Sequence, residues 1–143
     1  TGRLVPLRPV LDRYGPDALR FYLLAPLYRD RLEWNGAALR SRAREADWIH
    51  RTLHGAIPAG AGGGAPLRAL LAADRAIRKA LLDGLRIGDA FEELEGLARA
   101  VEADGRGQFP KGDTRVVRAT LRGIDRRLGL GLAAAAVRPT GRR

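Results

Sequence analysis

The chain has 143 residues, which fits one domain large enough to bury a single hydrophobic core. It carries 26 basic and 16 acidic residues, a net charge of +10, and this excess favours a polyanionic partner over a small acidic substrate. The lack of cysteine excludes disulfides, thiolate zinc sites and a cysteine nucleophile. With no apolar run long enough to cross a bilayer and no signal-peptide pattern, we expect a cytoplasmic protein without a membrane partner.

Proline and glycine divide the first half of the sequence into segments with helical apolar periodicity. We predict short helices over 6–14 and 16–25, separated by Gly15, and a longer helix over 36–54 that Asn35 caps. Residues 59–65, Ala-Gly-Ala-Gly-Gly-Gly-Ala, have the composition of a flexible linker. This linker divides a segment over 1–58 from the remaining helices over 66–132.

The second half continues the same periodicity. A helix is predicted from Pro66 to about Asp83, a second after an Asp89 cap, and a third from the Asp113 cap to Leu128. Residues 133–143 form a basic tail. The fold class is therefore all-α, a bundle of about six helices with little or no strand. We predict these core residues: Val10, Leu11, Leu19, Tyr22, Leu23, Leu39, Ile49, Leu53, Leu70, Ile77, Leu81, Phe91, Leu94, Val101, Leu121 and Ile124.

Catalytic motifs are missing from the sequence. The glycines at 60–64 lack the pattern of a phosphate-binding loop, and no carboxylates are expected to converge. His50 and His54 have a spacing that can bind zinc, but no third ligand is evident. We expect two packing histidines, no metal site and no catalytic residue in this chain.

Two helices each carry arginines along one side. In the helix over 36–54, Arg40, Arg44 and Arg51 project within about 40°, with Trp48 beside them, at the 3.6-residue helical period. This pattern is typical of a phosphate-contacting face with an aromatic side chain that can stack on a base. Asp47 within the same face supports the alternative of an ordinary solvated surface.

The last helix has the more ordered charge, and residues 105–143 hold ten basic and two acidic residues. Arg115, Arg118, Arg122 and Arg126 form a row about 16 Å long at 1.5 Å per residue. RNA contact is one interpretation. Two others remain open: ion pairs with the acidic residues of the preceding helix, or a solvated face without partners. Those acidic residues are Glu92, Glu93, Glu95 and Glu102.

One stretch is specific to a known family. Residues 10–24, VLDRYGPDALRFYLL, resemble the segment after the K-M-S-K-S loop of class I aminoacyl-tRNA synthetases, and residues 17–20 spell the D-A-L-R signature. Residues 28–34 are similar to the HYRSPLDFS passage of cysteinyl-tRNA synthetases, and residues 82–91 are similar to their DDLNTPEAL turn. Residues 121–132 resemble the last bundle helix of that family. The resemblance covers roughly residues 4–132.

The resemblance implies the stem-contact region and helical bundle, which in that family brace tRNA beside a separate catalytic domain. The family's nucleotide-binding motifs and zinc ligands are absent here, so ATP and zinc would belong to that other domain. For Asp17 and Arg20 we expect a structural role. The expected partner is tRNA, bound by Arg40, Arg44, Trp48, Arg51 and the row in the last helix. The alternatives are a protein-interaction module or the bundle of a related cysteine ligase of mycothiol synthesis, which uses no tRNA.

Overall fold

A computed structural model describes residues 5–26, 31–57, 64–104 and 108–131. These residues form five α-helices and one short 3-10 turn, without a β-strand. The helices are α1 (Leu7–Leu24), α2 (Gly36–Gly55), α3 (Gly64–Leu82), α4 (Ile87–Ala103) and α5 (Thr114–Leu128). The predicted all-α bundle is confirmed. Within the same ranges, no helix is both long and apolar enough to span a membrane.

α1 covers both of the first two predicted helices, and its helical geometry is interrupted between them at Gly15. Gly15 has φ 79° and ψ 164°, a region open almost only to glycine, and Pro16 follows at once. Proline disfavours helical geometry in the residue before it, so the sequence places the break at this step. The prediction of about six helices therefore becomes five elements, the first of which is kinked.

Local signals set several helix ends as predicted. Asn35 caps α2, since its side-chain oxygen accepts hydrogen bonds from the N–H groups of Ala37 and Ala38. Gly129 ends α5 in the left-handed conformation with φ 65°. The predicted Asp89 cap is wrong: α4 begins at Ile87, and Asp89 lies in its first turn beside Arg86. Asp113 occupies the N-cap position of α5, but its side chain makes no capping hydrogen bond.

The helices pack mainly as two pairs, α1 with α2 and α3 with α4, while α5 packs on α3. The pairs meet where α2 and α1 contact α4, and there the rings of Phe21 and Phe91 stack with centroids 4.1 Å apart. Phe109, from the segment before α5, is fully buried, and its N–H donates to the carbonyl oxygen of Ala56. One main core thus joins all five helices.

Most of the predicted core is buried, with three exceptions. Leu11 and Leu81 are only half-buried, and Leu23 is 43% exposed. Leu23 lies in the last turn of α1, beside Leu24, which is 37% exposed. The sequence also missed the burial of Phe21, Phe109 and Leu130.

Of the predicted linker over 59–65, residues 59–63 lie outside the described residues, and residues 64 and 65 begin α3. The tail over 133–143 lies outside them entirely.

The start of α4 lies directly against the end of α1. A Cβ atom at Gly88 would collide with the backbone carbonyl oxygen of Ala25, whereas a Cβ at Gly96 would meet nothing within 4 Å. Backbone atoms cannot rotate away as a flexible side chain can. The packing of α4 on α1 therefore requires glycine at position 88 but not at position 96.

We expect Gly88→Ala to lower the free energy of unfolding, because α1 and α4 would have to move apart. Gly96→Ala, in the same helix, is the matched control. It should raise stability by up to about 1 kcal/mol, since alanine is the better helix former. Urea denaturation followed by circular dichroism measures both variants. Equal effects would contradict this packing.

Candidate nucleic-acid interface

Asp17 connects three parts of the fold. Its carboxylate lies 2.9 Å from His50 Nε2 of α2 and 3.4 Å from the backbone N–H of Gly131, which follows α5. Arg20, one helical turn further along α1, lies 3.4 Å from the same carboxylate. We call Asp17, Arg20 and His50, with the backbone of Gly129 and Gly131, the Asp17 cluster.

Arg20 makes the second link from α1 to the end of α5. Its Nη1 donates to the carbonyl oxygen of Gly129, the residue in the left-handed conformation. This carbonyl is one of those that the last turn of a helix leaves without an internal partner. Asp17 and Arg20 thus link three elements of the fold, as the structural role expected for them requires.

The environment of Asp17 lowers the pKa of its carboxyl group. Burial raises this pKa, but hydrogen bonds from His50 and from the Gly131 N–H, with the positive charges of His50 and Arg20, outweigh the burial. The carboxylate is therefore held in its charged form. His50 was predicted to be a packing histidine, and its pairing with Asp17 was missed. The two residues are 33 positions apart, and only the inward position of His50 in α2 hinted at a buried partner.

The arginine row of α5 lies on the surface. Arg115, Arg118, Arg122 and Arg126 are all exposed, and none pairs with an acidic group among the residues that the structure describes. The buried side of the helix carries Val117, Leu121, Ile124 and Leu128. In particular, the proposed ion pairs with Glu92, Glu93, Glu95 and Glu102 do not form. Glu95 pairs with Arg99 of its own helix, and Glu102 accepts hydrogen bonds from α2.

Arg127 is the arginine of α5 that does face inward. Its Nη1 lies 2.7 Å from Asp74 of α3, and both side chains are largely buried. Arg78 binds the other oxygen of the same carboxylate from the next turn of α3. This pair links α5 to α3 in the orientation that buries the apolar side of α5, and the row of four arginines lies on the exposed side.

The predicted α2 face divides into two parts. Arg40 and Arg44 are exposed and make no ion pair in the described ranges, while Arg51 pairs with Asp47 one turn before it at 2.9 Å. The acidic residue that favoured a solvated face therefore neutralises one of the three arginines. An exposed pair of this kind contributes little to stability.

Trp48 makes contacts inside the chain. It is half-buried against the main core, and its Nε1–H donates to Glu102 Oε1 of α4 at 2.7 Å. Thr52 donates to the same oxygen at 3.2 Å. The indole thus joins α2 to α4, so stacking on a base would compete with this contact. No group of three potential metal ligands occurs among the residues whose positions are described.

Three curated relatives resemble the chain, and each is named cysteine–tRNA ligase. That of Pseudothermotoga lettingae is 40% identical over 52 residues, or 36% of the chain and 11% of the relative. That of Aeropyrum pernix is 32% identical over 103 residues, or 65% and 22%. That of Xanthomonas euvesicatoria pv. vesicatoria is 26% identical over 136 residues, or 90% and 29%.

The chain thus spans less than a third of the length of these relatives. Their similarity supports a relationship of the chain to the aminoacyl-tRNA synthetases. No family profile matches the chain. No solved structure matches it either.

The Asp17 cluster predicts a specific pH dependence. Because the folded-state pKa of Asp17 is lowered, its contribution to stability is present above the unfolded pKa and is lost as the pH falls through the folded value. We expect Asp17→Asn to cost on the order of 1–2 kcal/mol near neutral pH, since it removes charge-assisted hydrogen bonds. This cost should shrink in acid, as the pH falls through the folded-state pKa and the Asp17 carboxyl becomes uncharged like the asparagine side chain.

Asp12→Asn is the matched control, because Asp12 forms an exposed ion pair with Arg8 on the same helix. Its cost should stay below about 0.5 kcal/mol at either pH. Urea titrations at the two pH values measure both variants. A cost for Asp17→Asn that does not change with pH would contradict the charged hydrogen-bonded pair.

Proposed function

We propose that the chain is a tRNA-binding helical domain of, or derived from, a cysteinyl-tRNA synthetase. In this proposal the domain braces tRNA by contacts to the sugar-phosphate backbone. A separate catalytic domain carries out the ATP-dependent aminoacylation, and ATP and zinc are used there. The stem-contact and D-A-L-R region of the family is the part to which the chain corresponds.

The arginine row of α5 is the observation that carries the proposal. Four like charges on one face repel one another, and none of the four forms an ion pair with an acidic side chain of the described residues. A polyphosphate backbone provides regularly spaced negative charge and releases its counterions when arginines bind. Arginine also suits this task because its planar guanidinium binds phosphate oxygens in pairs.

Shape recognition of folded RNA fits a rigid helix better than a flexible loop. α5 is held at its C-terminal end by the Asp17 cluster and by Arg127 with Asp74, and along its length by its apolar side, which is buried in the main core. The arginine row is therefore presented on a fixed axis, and backbone contacts position RNA without reading its sequence. The similarity to three cysteine–tRNA ligases supports tRNA as the RNA concerned.

A salt titration of tRNA binding tests the proposal with Arg118→Gln/Arg122→Gln. The slope of log affinity against log salt is negative, and removal of one arginine–phosphate interaction should reduce its magnitude by roughly 0.7–0.9. The double variant should therefore bind tRNA more weakly at low salt and with a shallower slope. Its helix content should match that of the wild-type chain, because both side chains are exposed.

Arg75→Gln/Lys79→Gln is the control for net charge. Arg75 and Lys79 are exposed on α3 and unpaired among the described residues, so this variant removes the same charge from another helix. We expect a smaller change in slope than for the α5 variant. Parallel slopes for the wild type and the α5 variant would reject the arginine row as the RNA site. Absence of tRNA binding by the wild-type chain would reject the function and leave the two alternatives, a protein-interaction module or the bundle of a related cysteine ligase that uses no tRNA.

A further inference from the structure

The two tryptophans of the chain have opposite environments. Trp48 is half-buried and hydrogen-bonded to Glu102, whereas Trp34, in the segment before α2, is 47% exposed. Exposure of nearly half of so large an apolar ring is costly in water. The segment is also held in a defined conformation, so the exposure is a stable feature of the surface. Trp34 is therefore the tryptophan available to a ligand.

Tyr22 of α1 holds the backbone on both sides of Trp34. Its hydroxyl donates to the carbonyl oxygen of Glu33 at 2.6 Å and accepts from the N–H of Asn35 at 2.7 Å. The rings of Tyr22 and Trp34 also meet edge to face, with centroids 5.6 Å apart. Tyr22 itself is only 6% exposed, so this support belongs to the packed part of the fold. A ligand that binds Trp34 meets a ring whose position is already fixed, which lowers the entropic cost of binding.

Positive charge lies on both sides of Trp34 in the chain. Arg31 and Arg40 are exposed, and neither makes an ion pair or hydrogen bond with another described residue. The Arg40 guanidinium lies at the start of α2, since a Cβ at Gly36 would be 3.7 Å from its Nη1. Glu33 is the acidic residue of the 31–35 segment and only partly offsets the two arginines. Two exposed arginines without an ion pair to a described residue therefore flank the exposed ring along the chain.

We propose that Trp34 is a stacking site for an unpaired base of RNA, with Arg31 and Arg40 beside it for the neighbouring phosphates. An exposed aromatic ring with nearby cations is the combination by which proteins bind single-stranded nucleic acid. An apolar protein partner would bury the neighbouring Leu32 together with Trp34, and the Leu32→Ala control distinguishes this case. The inference rests on the proposed RNA-binding function, but it uses a different surface from the arginine row of α5.

Fluorescence tests the stacking directly, because a base on the indole quenches its emission. A short single-stranded RNA oligonucleotide should quench the wild-type chain in a saturable way. Trp34→Phe leaves Trp48 as the remaining tryptophan, so most of the quenching should disappear. Trp34→Ala should weaken binding of this oligonucleotide by about 5- to 150-fold, which corresponds to the 1–3 kcal/mol of one base stacked on an aromatic ring. Trp34→Phe should retain part of the affinity.

Leu32→Ala is the matched control, because Leu32 is 42% exposed in the same segment but has no ring. Its affinity for the oligonucleotide should equal that of the wild type. A duplex RNA hides its base faces, so it should not quench Trp34. The helix content of each variant is checked by circular dichroism.

The outcomes separate this inference from the proposed function. If tRNA binds with the expected salt dependence but wild type and Trp34→Phe are quenched equally, the stacking site is rejected and the function remains. If Leu32→Ala weakens binding as much as Trp34→Ala, the surface is an apolar docking face and the inference is rejected. If neither tRNA nor the oligonucleotide binds the wild-type chain, both are rejected.

Discussion

The hydrogen bonds of the Asp17 carboxylate are the interaction on which the placement of α1 relative to α2 and to the end of α5 depends. It accepts a hydrogen bond from α2 through His50 and from the segment after α5 through Gly131. Arg20 adds a bond to the Gly129 carbonyl, so the first and last helices are joined at one place. A charged group that is partly buried must keep its partners, because desolvation would otherwise favour its neutral form. The D-A-L-R segment thus acts here as a joint between helices.

This joint has a consequence for the surface. The Asp17 cluster and the pair of Arg127 with Asp74 hold the C-terminal end of α5 in one orientation, together with the burial of its apolar side. That orientation buries the apolar side of the helix and exposes the four arginines of its opposite side. The partly buried charges therefore contribute to stability and geometry, while the exposed ones remain available to a partner. Arg127 and the four arginines of the row therefore have different physical roles on the same helix.

The two tryptophans differ in the same way, one contributing to packing and the other exposed at the surface. Trp48 contributes to the contact between α2 and α4 through Glu102, and its position is explained by packing. Trp34 is supported from beneath by Tyr22 but covered by none of the described residues over nearly half of its surface. Both rings have rigid supports. They differ in whether the remaining surface faces the core or the solvent, and this decides which one can stack on a ligand.

Local rules were sufficient for part of the fold. Asn35 at the start of α2, Gly129 at the end of α5 and the glycine–proline break in α1 depend on backbone geometry within a few residues, and the sequence predicted all three. The apolar periodicity of α5 also predicted which of its sides is buried. The order of the helices and the exposure of the arginine row followed from the same information, because a helix fixes the relative directions of its own side chains.

Contacts between distant residues required the tertiary structure. The pairing of Asp17 with His50, the hydrogen bond from Trp48 to Glu102 and the stack of Phe21 on Phe91 join residues 33, 54 and 70 positions apart. Periodicity shows that a side chain points inward, but it does not identify the helix that it meets. For the same reason the sequence could not tell which tryptophan stays exposed. That was decided by how α1, α2 and α4 pack together, since burial depends on the neighbour as well as on the direction.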